Sequence, residues 1–258
     1  MTATDALEIA IGAARSATAI LLARFGGPAV GVRSKSTATD LVSEADEQAE
    51  QAVVAFIRQR RPHDTLIAEE GSAHEGQSGI RWLVDPLDGT INYLYGQPHW
   101  CVSIACADAD GAIAGAVYDP SRDELFTAVR GGGARLAGRP LAASTVGDPA
   151  IALVATGFSY DAAERAAQAA VVARLAGKVR DIRRAGSAAL DLAWVAAGRL
   201  DAYFEVSRSP WDSAAGELLV REAGGVVTWT EHTEIVASGR PLHPALIALL
   251  RASHEIDG

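Results

Sequence analysis

The stretch Trp82-Leu83-Val84-Asp85-Pro86-Leu87-Asp88-Gly89-Thr90-Ile91-Asn92 has the spacing in this chain most suited to chemistry. An apolar run ends on Asp85, and a second carboxylate, Asp88, follows three residues later. Pro86 and Gly89 favour a tight turn that brings the two together, with the Leu87 carbonyl between them. Two carboxylates and a carbonyl on a rigid turn form a hard-oxygen donor set suited to divalent cations. Gly89 and Thr90 then offer backbone N–H groups at a helix start, where an anion is favoured. An ordinary Asp-Gly turn between strands has the same local pattern, so this stretch does not decide the matter alone.

Further acids stand at comparable positions. Glu69 and Glu70 close the apolar run Thr65-Leu66-Ile67-Ala68, and Asp46 ends the segment Asp40-Leu41-Val42-Ser43-Glu44-Ala45-Asp46. Asp212 opens a helical pattern in Trp211-Asp212-Ser213-Ala214-Ala215-Gly216. Each has a plainer explanation. Asp212 suits a helix N-cap that also complements the helix dipole, and the acids from Glu44 to Glu50 suit a solvated helix face.

The surrounding elements must bring these residues together. Apolar residues at helical spacing predict helices over 7–22, capped by Thr4 or Asp5, and over 43–60, stopped ahead of Pro62. Runs at 65–68 and 81–84 read as strands that deliver acids at their C-terminal ends. Strands follow at 102–107, 112–118 and 125–129, the first two joined by an Asp110-Gly111 hairpin turn. Gly131-Gly132-Gly133 and Gly138-Arg139-Pro140 read as turns, and the triple glycine lacks the spacing of a phosphate loop. The remainder alternates between strands at 151–155, 179–182, 202–206 and 226–229 and helices at 162–175, 187–197, 213–223 and 244–252. No repeat, low-complexity tract or linker interrupts this pattern. It predicts one layered α/β domain over 1–258, with approximate halves 1–147 and 148–258.

Composition narrows the function classes. The 258 residues carry a net charge of −9, which argues against a nucleic-acid surface. No uninterrupted apolar run reaches the ~18 residues of a membrane span. Residues 9–25 come nearest, but Arg15 and Arg24 break them and no basic leader precedes them, so a cytoplasmic protein is expected. Cys101 and Cys106 read as buried free thiols of a reducing compartment. The six histidines lie apart, so a histidine metal site is not expected. Trp82, Trp194 and Trp229 read as core residues.

The Asp85–Asn92 stretch and Trp211-Asp-Ser-Ala-Ala-Gly216 resemble the two signature motifs of the inositol monophosphatase family. The Ile67-Ala68-Glu69-Glu70 strand end and the Asp40–Asp46 segment match two shorter motifs in the same order. The resemblance covers essentially the whole chain. It implies a five-layered αβαβα fold, a homodimer and Mg²⁺-dependent, lithium-sensitive hydrolysis of small phosphate monoesters, with two or three ions per subunit. It assigns Glu69, Asp85 and the Leu87 carbonyl to a first metal, and Asp85, Asp88 and Asp212 to a second. Glu69 would also reach a third ion through water. Asp46 and Thr90 would position and deprotonate the attacking water, the Gly89 and Thr90 amides would hold phosphate, and Lys35 matches a loop lysine near the site. Asp46, Glu69, Asp85, Asp88 and Asp212 in one cleft would repel one another unless divalent cations neutralised them.

The alcohol is harder to read. Ala188 and Glu205 fall where the family's inositol enzymes contact ring hydroxyls, and Asp88 and Asp212 border the same place. Ser159 matches another such contact loosely. Inositol-1-phosphate is the expected substrate, with histidinol phosphate, fructose-1,6-bisphosphate and 3′-phosphoadenosine 5′-phosphate as alternatives. Ser43, Ala68 and Ile91 depart from the usual Thr, Gly and Thr, and the Ser207-Arg208-Ser209-Pro210 loop is not diagnostic. The Ser43 and Ala68 departures are mild and leave the metal ligands intact, whereas Ile91 and the loop touch the choice of alcohol and not the chemistry. Since some family members have binding roles, a non-catalytic regulator associated with RNA polymerase is the contrasting expectation.

Overall fold

The computed structural model describes residues 1–206, 209–231 and 234–254, so Ser207, Arg208 and His232 lie outside the described residues. Helix α1 (Ala3–Arg24) starts earlier than the sequence suggests. Thr2 caps it by accepting from the Asp5 amide, and the Asp5 carboxylate accepts from the Thr2 amide, so two orphan donors are satisfied at once. A short ribbon, β1 (Arg33–Ser34) with β2 (Leu41–Val42), leads into α2 (Glu44–Arg60). Ser43 and Asp46 form the second capping box.

Helix α1 buries Ala6, Ala10, Ala13, Ala14, Ala17 and Leu21, a face of small residues that lets α2 approach closely. At Gly12 a Cβ would lie 2.2 Å from the Phe56 ring of α2. A mid-helix glycine costs about 1 kcal/mol, and here it makes room for that ring. By length and composition alone, α1 is the one helix among the described residues able to cross a membrane. In the fold it packs on α2 and the neighbouring sheet.

The next elements are β3 (Thr65–Ala68), β4 (Ala73–His74), β5 (Arg81–Asp88) and α3 (Thr90–Leu94). After them come β6 (Cys101–Asp108), β7 (Gly111–Asp119), β8 (Glu124–Val129), β9 (Gly133–Leu136) and β10 (Arg139–Pro140). They form an eight-stranded sheet of order β10-β9-β8-β7-β6-β5-β3-β4, antiparallel except for the β3–β5 pair. The glycine-rich turns expected around 131–140 are thus the ends of an edge hairpin, β9–β10.

A five-stranded sheet takes the rest. Its elements are β11 (Leu153–Thr156), α4 (Ala162–Ala176), β12 (Asp181–Arg183), α5 (Ala188–Ala196) and β13 (Ala202–Val206). Then follow α6 (Pro210–Glu222), β14 (Val226–Trp229), β15 (Glu234–Ser238) and α7 (His243–His254). The order is β12-β11-β13-β15-β14, parallel across the first three strands and antiparallel beyond. Strand β15 was not predicted. Helix α6 starts at Pro210 rather than 213, because proline at the first helical position lacks only an N–H that would be unpaired there.

The elements stack as α1/α2, large sheet, α5/α6, small sheet and α4/α7, the five layers expected. Alternation along β5 explains the double-sided burial. Trp82 and Val84 enter the core under α1 and α2, while Leu83 enters the one under α5 and α6. A third core, with Val154, Phe204 and Leu246, lies under α4 and α7. Cys101 and Cys106 are buried free thiols, as expected.

Candidate active site

The Asp85–Asp88 segment is not the tight turn read from Pro86 and Gly89. Strand β5 runs on through Asp88, and its pairing with β6 slips between Asp85 and Asp88 as a bulge. Bulges re-aim side chains, and here the two carboxyls border one cavity of about 350 Å³. The chain turns at Gly89, whose φ of 94° is the left-handed region. A Cβ there would lie 3.0 Å from the His99 carbonyl oxygen, so both the space and the conformation call for glycine. Helix α3 starts at Thr90.

Each acid on this side of the cavity is held by named donors. Asp46, fully buried, accepts from the Ser43 amide at 2.9 Å and from Thr90 Oγ1 at 3.0 Å. Thr90 Oγ1 also lies 3.1 Å from the Leu87 carbonyl oxygen. Asp85 Oδ1 accepts from the Leu87 amide at 3.0 Å. Asp88 Oδ2 accepts from Ser187 Oγ at 2.6 Å and the Ala189 amide at 2.7 Å, so it sits at the positive end of α5. Glu69 follows β3 in a turn that Glu50 of α2 fixes by accepting from the Glu70 and Ser72 amides. Lys35 Nζ reaches Glu69 at 2.9 Å and Glu70 at 2.6 Å.

Electrostatics follow from burial and crowding. Burial, then Glu69, Asp88 and Asp212, push Asp85 well above the ordinary carboxylate range. Burial raises Asp88 to about 6 against the Ser187 and Ala189 hydrogen bonds. Burial also raises Asp46, while hydrogen bonds from Ser43 and Thr90 pull it down. Glu70 is raised to about 7 by burial and Glu69. Burial disfavours the Lys35 ammonium, but Glu69 and Glu70 more than offset that and hold it charged.

The second half supplies the opposite wall. Ala188 opens α5 and Asp212 is the third residue of α6, not its cap; Ser209 occupies the cap position. Glu205 on β13 accepts from the Tyr203 hydroxyl and is raised to about 7 by burial. A Cβ at Gly157 would lie 2.0 Å from Glu205 Oε2, so this glycine makes the space that the carboxyl fills. Ser159 is committed instead to Glu164, at 2.8 Å. The cavity therefore gathers Lys35, Glu69, Asp85, Leu87, Asp88, Gly89, Thr90, Ala188, Glu205 and Asp212, with Asp46 behind Thr90. Arg184 and Asp191 also line it and were not singled out in the sequence. Asp191 falls inside the helix predicted over 187–197.

The donor set tests well against a hard divalent cation. Glu69, Asp85, Asp88 and Asp212 with the Leu87 carbonyl are all oxygen ligands, and their mutual repulsion at buried Asp85 is what such a cation relieves. Among the described residues no three of these side chains are already gathered around one ion position. Lys35 meanwhile supplies positive charge to Glu69, and the α5 amides engage one oxygen of Asp88.

Comparisons with known proteins place the chain in a family. The family model described as "Inositol monophosphatase family" matches residues 3–255. The Nus factor SuhB of Escherichia coli K12 is 45% identical over 224 residues, covering 86% of this chain and 84% of that protein. The crystal structure of the extragenic suppressor protein suhB from Bartonella henselae superposes with a TM-score of 0.89 at 37% identity, over 96% of this chain and 98% of that one. An inositol monophosphatase from Anabaena gives a TM-score of 0.83 at 35% identity, over 95% of each chain. This chain belongs to the inositol monophosphatase family.

Proposed function

We propose that this protein is a Mg²⁺-dependent phosphomonoesterase that hydrolyses inositol-1-phosphate, with tolerance for related small phosphate esters. The observation that carries the reading is the Asp46–Thr90–Leu87 contact set, at 3.0 and 3.1 Å, beside Glu69, Asp85, Asp88 and Asp212 in one cavity. Glu69, Asp85, the Leu87 carbonyl, Asp88 and Asp212 would hold two or three Mg²⁺ ions. Cations held there would supply Lewis acidity, easing deprotonation of water and offsetting negative charge on the phosphate and the leaving oxygen.

The protein's own residues do the rest. When Thr90 donates to Asp46, its oxygen keeps lone pairs to accept from the attacking water. The proton then passes from water to Thr90 Oγ1 and on to Asp46, which burial makes a stronger base than a free carboxylate. The Gly89 and Thr90 amides orient the phosphate, and the bulge fixes their position relative to Asp88. Glu205 and Ala188 face the alcohol. The family also points to a homodimer, which sedimentation velocity tests.

The deciding experiment measures phosphate release from inositol-1-phosphate with and without Mg²⁺, beside histidinol phosphate, fructose-1,6-bisphosphate and 3′-phosphoadenosine 5′-phosphate. Metal-stimulated release with the inositol ester preferred is expected, together with inhibition by Li⁺ that is uncompetitive against substrate. No metal-stimulated release from any of these esters rejects the reading. A second reading, a regulatory binding protein, is favoured by the name Nus factor carried by the Escherichia coli relative. Metal-dependent turnover together with no recovered partner in affinity capture removes it.

A further inference from the structure

Asp191 differs from every other buried aspartate in the described part of the molecule. The fold normally saturates such groups. Asp64 accepts from Arg61, Ser78 and Trp82, and Asp119 accepts from the Ser121 and Arg122 amides and the Arg122 guanidinium. Asp46 and Asp88 have the donors given above. Asp191, 2% exposed on α5, accepts nothing from its side-chain oxygens among the described residues, and its Oδ1 is enclosed without a partner. Its ion-pair neighbour is His99, whose Nε2 lies 4.0 Å away and is likewise unpartnered. Burial pushes His99 down to about 4, so it brings no charge at neutral pH. Burial, then Asp88 and Glu205, pushes the Asp191 carboxyl well above the ordinary carboxylate range, and Arg184 opposes this without a hydrogen bond.

A buried acceptor left without a donor is costly to keep. Asp191 also edges the cavity, three residues along α5 from Ala188 and on the same wall as Glu205. Resting on the phosphatase reading above, we infer that Asp191 is a specificity-determining contact for the alcohol, its carboxyl at the edge of the cavity hydrogen-bonding to a substrate hydroxyl. Asp191 and the Tyr203-held Glu205 then present two separate oxygen groups to the alcohol. That suits a polyol phosphate over an aryl or simple alkyl ester. The rival role is structural: a single water bridging Asp191 and His99 would satisfy both atoms and leave substrate choice untouched.

The test compares the parent with Asp191→Ala and Asp191→Asn in saturating Mg²⁺, on inositol-1-phosphate and on p-nitrophenyl phosphate. Its readout is the ratio of kcat/KM for the inositol ester to kcat/KM for the aryl ester. Loss of one hydroxyl contact predicts a fall in this ratio of about tenfold or more for Asp191→Ala, mostly through KM. For Asp191→Asn, which keeps one acceptor oxygen, a fall of about threefold follows by the same reasoning. If Asp191→Ala does not fold, as melting temperature will show, the Asn variant alone decides. A ratio within twofold of the parent's in the folded variants overturns the inference, even if stability changes. A larger loss on cationic histidinol phosphate than on the inositol ester overturns the polyol assignment. If the parent hydrolyses neither ester, the phosphatase reading has failed. Calorimetry with inositol-1-phosphate and with inorganic phosphate then judges Asp191 separately: a selective weakening of the inositol ester in Asp191→Ala supports the contact, and equal or no weakening rejects it.

Discussion

On one side of the cavity Asp46, Asp88 and Glu69 are each clamped by two or more donors or by an ammonium, on elements of the first half of the chain. On the other side, among the described residues, Glu205 has a single donor, Tyr203, and Asp191 Oδ1 has none. The difference fits a division of labour. Groups that move protons or bind cations need fixed geometry, because small displacements are costly in the transition state. Groups that recognise an alcohol need valences left open for it. Breaking the clamped side should therefore lower turnover for every ester, whereas breaking the open side should change which ester is preferred.

The largest effect is expected from Asp46→Asn. Loss of a positioned base typically costs about 10²–10⁴-fold in rate. Both the inositol and aryl esters should lose kcat by the same factor with KM little changed, because the interaction exists mainly in the transition state. Steady-state kinetics on the two esters checks this. A near-parental kcat would reduce Asp46 to its part in the Ser43 capping box, a change worth only about 1 kcal/mol of stability.

Next comes Asp88→Asn. The substitution removes one full charge from the hard-oxygen set, and the half-saturating Mg²⁺ concentration should rise by about tenfold or more. Activity should return in part at high Mg²⁺. A Mg²⁺ titration of initial rates is the measurement, and an unshifted midpoint would take Asp88 out of the ligand set and leave it as an anchor for α5.

The two sides were also unequally legible. The clamped side sits on local motifs, and helix caps, strand ends and acids at fixed spacing leave marks in the sequence. Even there the bulge was read as a turn, because Pro86 and Gly89 mark a break without telling whether the strand resumes pairing one step out of register. The open side depends on tertiary contact. Asp191 lies in the apolar run Ala188-Ala189-Leu190-Asp191-Leu192-Ala193, and nothing local tells a cavity-edge carboxyl from a solvated one. Gly157 likewise has no local mark, since the space over it is filled by Glu205 from a strand distant in sequence. Strand β15 escaped notice because its five residues are all buried and show no alternation.

Gly157→Ala probes the open side alone. Its Cβ would displace the Glu205 carboxyl. The inositol-to-aryl ratio of kcat/KM should then fall by about tenfold, the size of one lost hydroxyl contact, with the Mg²⁺ midpoint unmoved. A loss shared equally by both esters would mean that Glu205 supports the phosphate side as well.

The smallest effect is on stability, and it concerns the cost of keeping Glu205 where it is. Its folded pKa is about 7 against an ordinary 4.5, raised first by burial. Between those values the folded state holds a proton that the unfolded chain has released, so stability falls as pH rises from about 4.5 to about 7. Below that window the contribution is neutral, and above it the loss is complete. The carboxyl borders an open cavity, so screening trims the full linkage value to the order of 1 kcal/mol. Glu205→Gln lacks the titration. It should match the parent at pH 5, exceed it in melting temperature at pH 8, and lose preference for the inositol ester. Thermal unfolding of both proteins at the two pH values, without Mg²⁺, measures the stability difference. A parent that is equally stable at pH 5 and 8 relative to the variant would show that Tyr203 compensates the buried charge in full, and that Glu205 belongs with the clamped groups.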